Sequence, residues 1–273
     1  MTRLLAKLAA VVLALALPLS GWCDTASPRI GIVIMHGKGG SPARQVNGLA
    51  SALEEKGFLV ANLEMPWSGR RDYDADVGAA ENEVEAALAA LRGKGADKLF
   101  VAGHSQGGMF AFYFGSRHAV DGIIAIAPGG DVSGATFVDK LGEPVARARQ
   151  LVAEGKGNEK ARFADYEGAK GLYPIVTTAA AYLSWFDPDG AMGRAGSPAN
   201  VKPGVPVLYV APRGDYPALL KVKQSRFQSL PPHPLTRLYE PDASHVGAPF
   251  ASAEEIARWT AEVAAHQTAS QSK

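Results

Sequence analysis

Lys98-Leu-Phe-Val-Ala-Gly-His-Ser-Gln-Gly-Gly108 decides how the rest of the 273-residue chain is read. Its first half, Lys98-Leu-Phe-Val-Ala102, is a short apolar run with the side chains of a buried strand. Its second half, Gly103-His-Ser-Gln-Gly107, has G-x-S-x-G spacing, and the apolar stretch that follows through Ser116 predicts a helix. A serine between strand and helix sits on a sharp, strained turn, and the flanking glycines leave room for neighbouring backbone. The turn lifts the Ser105 hydroxyl above the sheet at a helix N-terminus, whose partial positive charge favours a developing anion. The pentapeptide alone arises easily by chance; the strand before it and the helix after it give it weight.

Working outward, Ile30-Gly-Ile-Val-Ile-Met35 is a β-branched run ending at His36-Gly37 and reads as a buried strand. Residues 42–56 have helical spacing and stop at Gly57; residues 58–63 read as a second strand. A helix is predicted over 74–92, with Val77, Val84, Leu88 and Leu91 on one side, and Gly122-Ile-Ile-Ala-Ile-Ala127 is a fourth strand. The alternation then stops. Residues 128–203 show helical spacing at 145–153 and 177–186, no apolar strand, and many aromatic residues, among them Tyr173, Tyr182, Trp185 and Phe186. It resumes with Val205-Pro-Val-Leu-Tyr-Val210, a helix over 218–228, Leu235-Thr-Arg-Leu-Tyr239 and a helix over 253–266. The expected fold is α/β: a mostly parallel, doubly wound sheet of about six strands with a cap inserted at residues 128–203. That insertion leaves and re-enters at strand ends, so it is expected to cover the mouth above Ser105 and to move relative to the sheet.

Twenty-eight Lys and Arg against 27 Asp and Glu, with 47% hydrophobic residues, exclude a disordered chain and a polybasic nucleic-acid binder. Residues 1–23 have the layout of a secretory signal peptide: Arg3 and Lys7, then a Leu/Ala/Val run, then Pro18, Ser20 and Gly21. The run is short for a membrane span, which needs about 20 residues, so the mature chain is expected to have no integral span. Cleavage before Asp24 would leave a single domain over 24–273, exported to the periplasm or secreted. A lipid on Cys23 is the alternative, and Trp22 before it fits that poorly. Cleavage removes two basic residues and no acidic one, taking the net charge from +1 to −1, and removes the only Cys. No disulfide or Cys-ligated metal is then expected.

A serine nucleophile needs a base, an acid to orient it and two N–H donors for the oxyanion. Gln106, after the serine, supplies one donor; Lys38, in His36-Gly-Lys-Gly-Gly40 after the first strand, is the candidate for the other. The Lys38 side chain is also placed to meet a substrate anion. Of six His, His36 and His104 flank the motifs and read as packed or bonded to backbone, His118 ends a helix, His233 lies between prolines and His266 is near the terminus. His245 follows the last strand and is the candidate base. Asp215, after the strand ending at Val210, is the candidate acid, with Asp242 its main rival and Asp187 and Asp189 behind. Trp67, Trp185 and Phe186 are candidates to line a partly apolar substrate pocket, although most of the cap aromatics read as the cap's own core.

Taken in order, His36-Gly37, Gly103-His-Ser-Gln-Gly107, Gly214-Asp215 and Ser244-His245 resemble the α/β-hydrolase superfamily over residues 29–266. The resemblance implies that fold without its first two strands, a Ser-His-Asp triad, no cofactor and no metal. It implies a serine esterase acting on small or medium acyl esters, with no nucleic-acid partner. Peptidase, amidase, thioesterase or acyltransferase chemistry on the same residues stays open, as does a non-catalytic binding protein.

Overall fold

The computed structural model describes residues 28–168 and 170–271. The expected signal peptide and Cys23 lie outside them. Strands β1 (Ile30–Met35), β2 (Leu59–Leu63), β3 (Lys98–His104), β4 (Gly122–Ile126), β7 (Val207–Val210) and β8 (Arg237–Tyr239) form one six-stranded sheet in the order β2-β1-β3-β4-β7-β8. Every pairing in it is parallel. Parallel strands need helical crossovers, and the helices cover both faces. The β-branched runs show why. In β1, Ile30, Ile32 and Ile34 enter one hydrophobic cluster while Val33 and Met35 enter the other.

On one face lie α1 (Asn47–Glu55), α8 (Ala248–Ala251) and α9 (Ala253–Gln271), with Leu49, Leu53, Ile256, Trp259 and Val263 inward. On the other lie α2 (Val77–Gly93) and α3 (Gln106–Arg117). α2 starts later than its periodicity indicates, because the Asp76 carboxylate accepts the Ala79 N–H at 2.7 Å and caps it there. α3 is buried nearly all round, from Gln106 to Gly115, as a helix covered on two sides must be.

Its second cover is the cap. Residues 128–203 hold α4 (Ala135–Ala153), β5 (Lys160–Glu167), β6 (Gly171–Thr178), α5 (Ala179–Phe186) and α6 (Ala191–Ala195). The expectation of no strand here is corrected: β5 and β6 form an antiparallel hairpin, with Phe163 opposite Ile175 and Asp165 opposite Tyr173. The signal was hidden because the hairpin is half-buried, with Phe163 and Asp165 inward and Lys160, Arg162 and Glu167 on either side of them, rather than a continuous apolar run. α4 also begins ten residues earlier than 145, since Gly142 and the buried Pro144 inside it mask its pattern. No helix among the described residues is long and apolar enough to cross a membrane.

The strand order reverses between β1 and β3. In an open parallel sheet the crevice at the carboxyl ends of such strands is where ligands bind. Lys38 follows β1 there, and Ser105 follows β3.

Candidate active site

Ser105 has φ 54° and ψ −116°, in the left-handed half of backbone space that a side chain rarely enters. The surroundings hold it. Its N–H donates to Ile126 O at 2.8 Å, and its carbonyl accepts from Gly108, Met109 and Gly129 N–H at 2.9, 3.2 and 3.1 Å. A Cβ on Gly103 would lie 2.0 Å from Gly107 O, and one on Gly107 would lie 2.6 Å from Met35 O. Backbone cannot give way to either, so both positions require glycine. Beside the serine, a Cβ on Gly129 would stand 3.6 Å from Ser105 Oγ and 3.3 Å from Leu219.

His245 reaches this place from the loop after β8. An isolated bridge pairs Gly214 with Ser244 and locks that loop to the one after β7. Asp215 Oδ1 lies 2.7 Å from His245 Nδ1, and both side chains are buried. A carboxylate only accepts, so Nδ1 carries the proton and Nε2 keeps its lone pair. The Asp215 carboxylate also accepts the Tyr216 N–H at 2.7 Å. Asp242, three residues before His245, is exposed. Asp187 and Asp189 are engaged with Arg149 in the cap, at 2.8 and 3.0 Å. Among the described residues no hydrogen bond joins Ser105 Oγ to His245 Nε2. The structure therefore assembles Asp215 with His245 and sets Ser105 on the adjoining turn.

His104 is buried against this pair. Its Nε2 lies 2.9 Å from His245 O and its ring centroid 4.8 Å from that of His245. Burial first, then the neighbouring His245, push its pKa down to about 4. It is the neutral ring that donates Nε2–H to the His245 carbonyl, which fixes the height of the His245 loop. His36, whose pKa burial also lowers, donates Nδ1–H to Gly37 O at 2.7 Å and accepts the Met65 N–H at 3.1 Å. Both rings thus bond to backbone.

Lys38 and Gln106 both sit at the switch point, and neither N–H takes part in the turn and loop hydrogen bonds of the described residues. The expectation that the Lys38 ammonium meets a substrate anion is corrected. Its Nζ is 2.6 Å from Asp165 Oδ1 in β5 and 3.2 Å from Tyr166 O, and only 11% of the side chain is exposed.

Trp67, Trp185 and Phe186 are corrected as well. All three are at most 2% exposed. Trp67 packs on Phe110 and Trp185 at 5.3 and 5.4 Å, and Phe186 packs on Tyr73 at 4.9 Å. The indole N–H groups donate to His36 O and Ala75 O, both at 2.8 Å. These rings join cap to sheet; they do not line an open pocket. Two residues the sequence reading passed over, Asp165 and Tyr73, stand beside the site. Asp165 carries one sequence signal, an acidic residue at an inward position of a strand, and Tyr73 carries none.

A sequence model of the alpha/beta hydrolase family matches residues 2–259. A search of curated protein sequences returns no match. Similar solved structures include the monoacylglycerol lipase of Paleococcus ferrophilus, at 20% identity over 85% of this chain and 94% of that one, TM-score 0.59. Est1E of Butyrivibrio proteoclasticus, solved with ferulic acid bound, is 15% identical over 90% of this chain and 92% of that one, TM-score 0.55. The alpha/beta hydrolase GrgF of Penicillium sp. is 14% identical over 88% and 90%, TM-score 0.62. At these identities the likeness is one of fold.

Proposed function

Because this chain belongs to the alpha/beta hydrolase family, we propose that it is a serine hydrolase that cleaves carboxylic esters of small or medium acyl groups through an acyl-enzyme. The observation that carries this reading is the 2.7 Å contact of His245 Nδ1 with Asp215 Oδ1 beside a serine held at positive φ. In the proposed reaction the Ser105–His245 hydrogen bond closes when substrate is seated, as catalytic contacts often do. Nε2 takes the Ser105 proton as Oγ attacks the ester carbon, and Asp215 stabilises the imidazolium. The carbonyl oxygen becomes an oxyanion facing the Lys38 and Gln106 N–H groups. Collapse expels the alcohol, which takes the proton from His245. Water then loses a proton to His245 as it attacks the acyl carbon, and the carboxylic acid leaves as Ser105 recovers its proton.

The test is labelling of the purified protein with a fluorophosphonate, with p-nitrophenyl ester turnover measured alongside. Wild type should label and turn over. Ser105→Ala should stay folded, lose the label and lose roughly three orders of magnitude or more in kcat. Near-wild-type turnover by the Ala variant would remove Ser105 from the role.

A further inference from the structure

Asp165 is the point where the cap meets both residues proposed to hold the oxyanion. Its side chain is fully buried and its two oxygens meet four donors: Lys38 Nζ at 2.6 Å and the Tyr166 N–H at 2.6 Å on Oδ1, Tyr73 OH at 3.0 Å and Tyr173 OH at 2.8 Å on Oδ2. Tyr73 OH also lies 3.0 Å from the side-chain amide of Gln106. A phenol has one proton to give, and a charged carboxylate is the stronger acceptor. The Tyr73 hydroxyl proton is therefore held between two acceptors, Asp165 Oδ2 and Gln106 Oε1, each at 3.0 Å, and the phenol links the two side chains. Burial and the Asp165 charge both push the Tyr73 pKa well up, which keeps that phenol protonated. Tyr73 is itself pinned, with φ 59° after Asp72 at φ 46°, and its carbonyl accepts from Thr177 Oγ1 of β6 at 2.5 Å. The Lys38 ammonium lies 5.4 and 5.7 Å from the ring centres of Phe137 and Phe186, both in the cap.

From these contacts we infer that Asp165 is a positioning residue for the oxyanion site: one buried cap carboxylate holds the side chain of Lys38 directly and that of Gln106 through Tyr73, and so fixes the direction of both backbone N–H groups. The inference rests on the acyl-enzyme reading of Ser105. Oxyanion donors act because they are aimed before charge develops, so a loosened aim lowers transition-state stabilisation and leaves ground-state binding nearly alone. Removing the carboxylate charge leaves the Lys38 ammonium without its partner, and it turns toward water and carries the loop after β1 with it.

The experiment compares wild type, Asp165→Asn and Tyr73→Phe on p-nitrophenyl acetate, and measures inhibition by a trifluoromethyl ketone, which forms a tetrahedral oxyanion on the serine. Asp165→Asn should lower kcat about 10- to 100-fold with KM within about threefold, less than outright loss of an oxyanion donor. The ketone's inhibition constant should rise by the same factor as kcat/KM falls. Tyr73→Phe, which cuts only the Gln106 arm, should lower kcat about three- to tenfold with the same parallel. A purely structural role would lower the melting temperature without moving ketone affinity in step with kcat/KM. Asp165→Asn folded, with kcat and ketone affinity near wild type, overturns the inference; so does a change confined to KM. If Asp165→Asn does not fold, Tyr73→Phe decides by the same readouts. A wild type that neither labels nor hydrolyses esters overturns the proposed function, and the inference with it. An active wild type with an unaffected variant overturns the inference alone.

Discussion

His104 occupies the second position of the serine turn, and its chemistry there is set by what surrounds each ring nitrogen. Nε2 has the His245 carbonyl, while Nδ1 is buried with no partner and packs against Gly37. A proton added at Nδ1 would be an unpaired buried charge, which is why the ring's pKa drops from 6.5 to about 4. Below about pH 6.5 the unfolded chain binds a proton that the native ring refuses. Stability from this group is therefore complete above pH 6.5 and is lost as pH falls to about 4, by roughly 3 kcal/mol in all. His36, shifted down for the same reason, works in the same direction. Urea midpoints of wild type and His104→Gln, compared between pH 7 and 4.5, check this. The variant should fall less steeply with acid, and equal slopes would mean that His104 is not the group refusing the proton.

Among the elements, α5 docks the cap through both hydrogen bonds and ring packing. Thr178 Oγ1 accepts the Ala181 N–H at 3.2 Å to start it, and Ser184 Oγ accepts the Val77 N–H at 3.1 Å, so its side chain caps α2 in turn. Trp185, on the same helix, wedges against Trp67, Tyr73 and Phe110 with ring centroids 5.4 to 5.9 Å apart. Truncating such a ring leaves a cavity that its neighbours on the β2–α2 loop and α3 cannot fill, and it also orphans the Ala75 carbonyl. Trp185→Ala should cost about 3–5 kcal/mol in equilibrium unfolding. A loss under about 1 kcal/mol would mean that α5 rests on the sheet without interlocking with it.

At the scale of the whole molecule, the cluster on the α2–α3 face runs without a break from Val33, Val101 and Ala125 of the sheet through Phe110 and Phe114 to Phe163, Tyr182 and Trp185 of the cap. A cap sharing its apolar core with the sheet cannot melt alone without exposing that face of α3. Unfolding should therefore be a single transition. Tryptophan fluorescence reports Trp67 and Trp185 at the cap boundary and Trp259 on the opposite face, and it should coincide with far-UV circular dichroism in urea. Fluorescence lost at lower urea than helix signal would show the cap opening as a separate unit.

What the sequence determined by itself was everything with a local period or a fixed chain order. The β-branched runs mark the sheet strands because both faces are buried, and the serine turn is marked by glycines that backbone contacts at 2.0 and 2.6 Å demand. Asp215 and His245 could be singled out because each follows a strand on the carboxyl side of the sheet, and the fold brings those two loops side by side. Tertiary structure alone decided the rest. The β5–β6 hairpin carries a mixed pattern that becomes a strand pair only where one face finds a core. Trp67, Trp185 and Phe186 have the composition of a pocket wall or of a core, and only the volume around them selects the core. Lys38 and Asp165 stand 127 residues apart, and no local pattern encodes their pairing. A buried charge must find its partner wherever the packed chain presents one, so the partner is chosen by the fold and not by the neighbouring sequence.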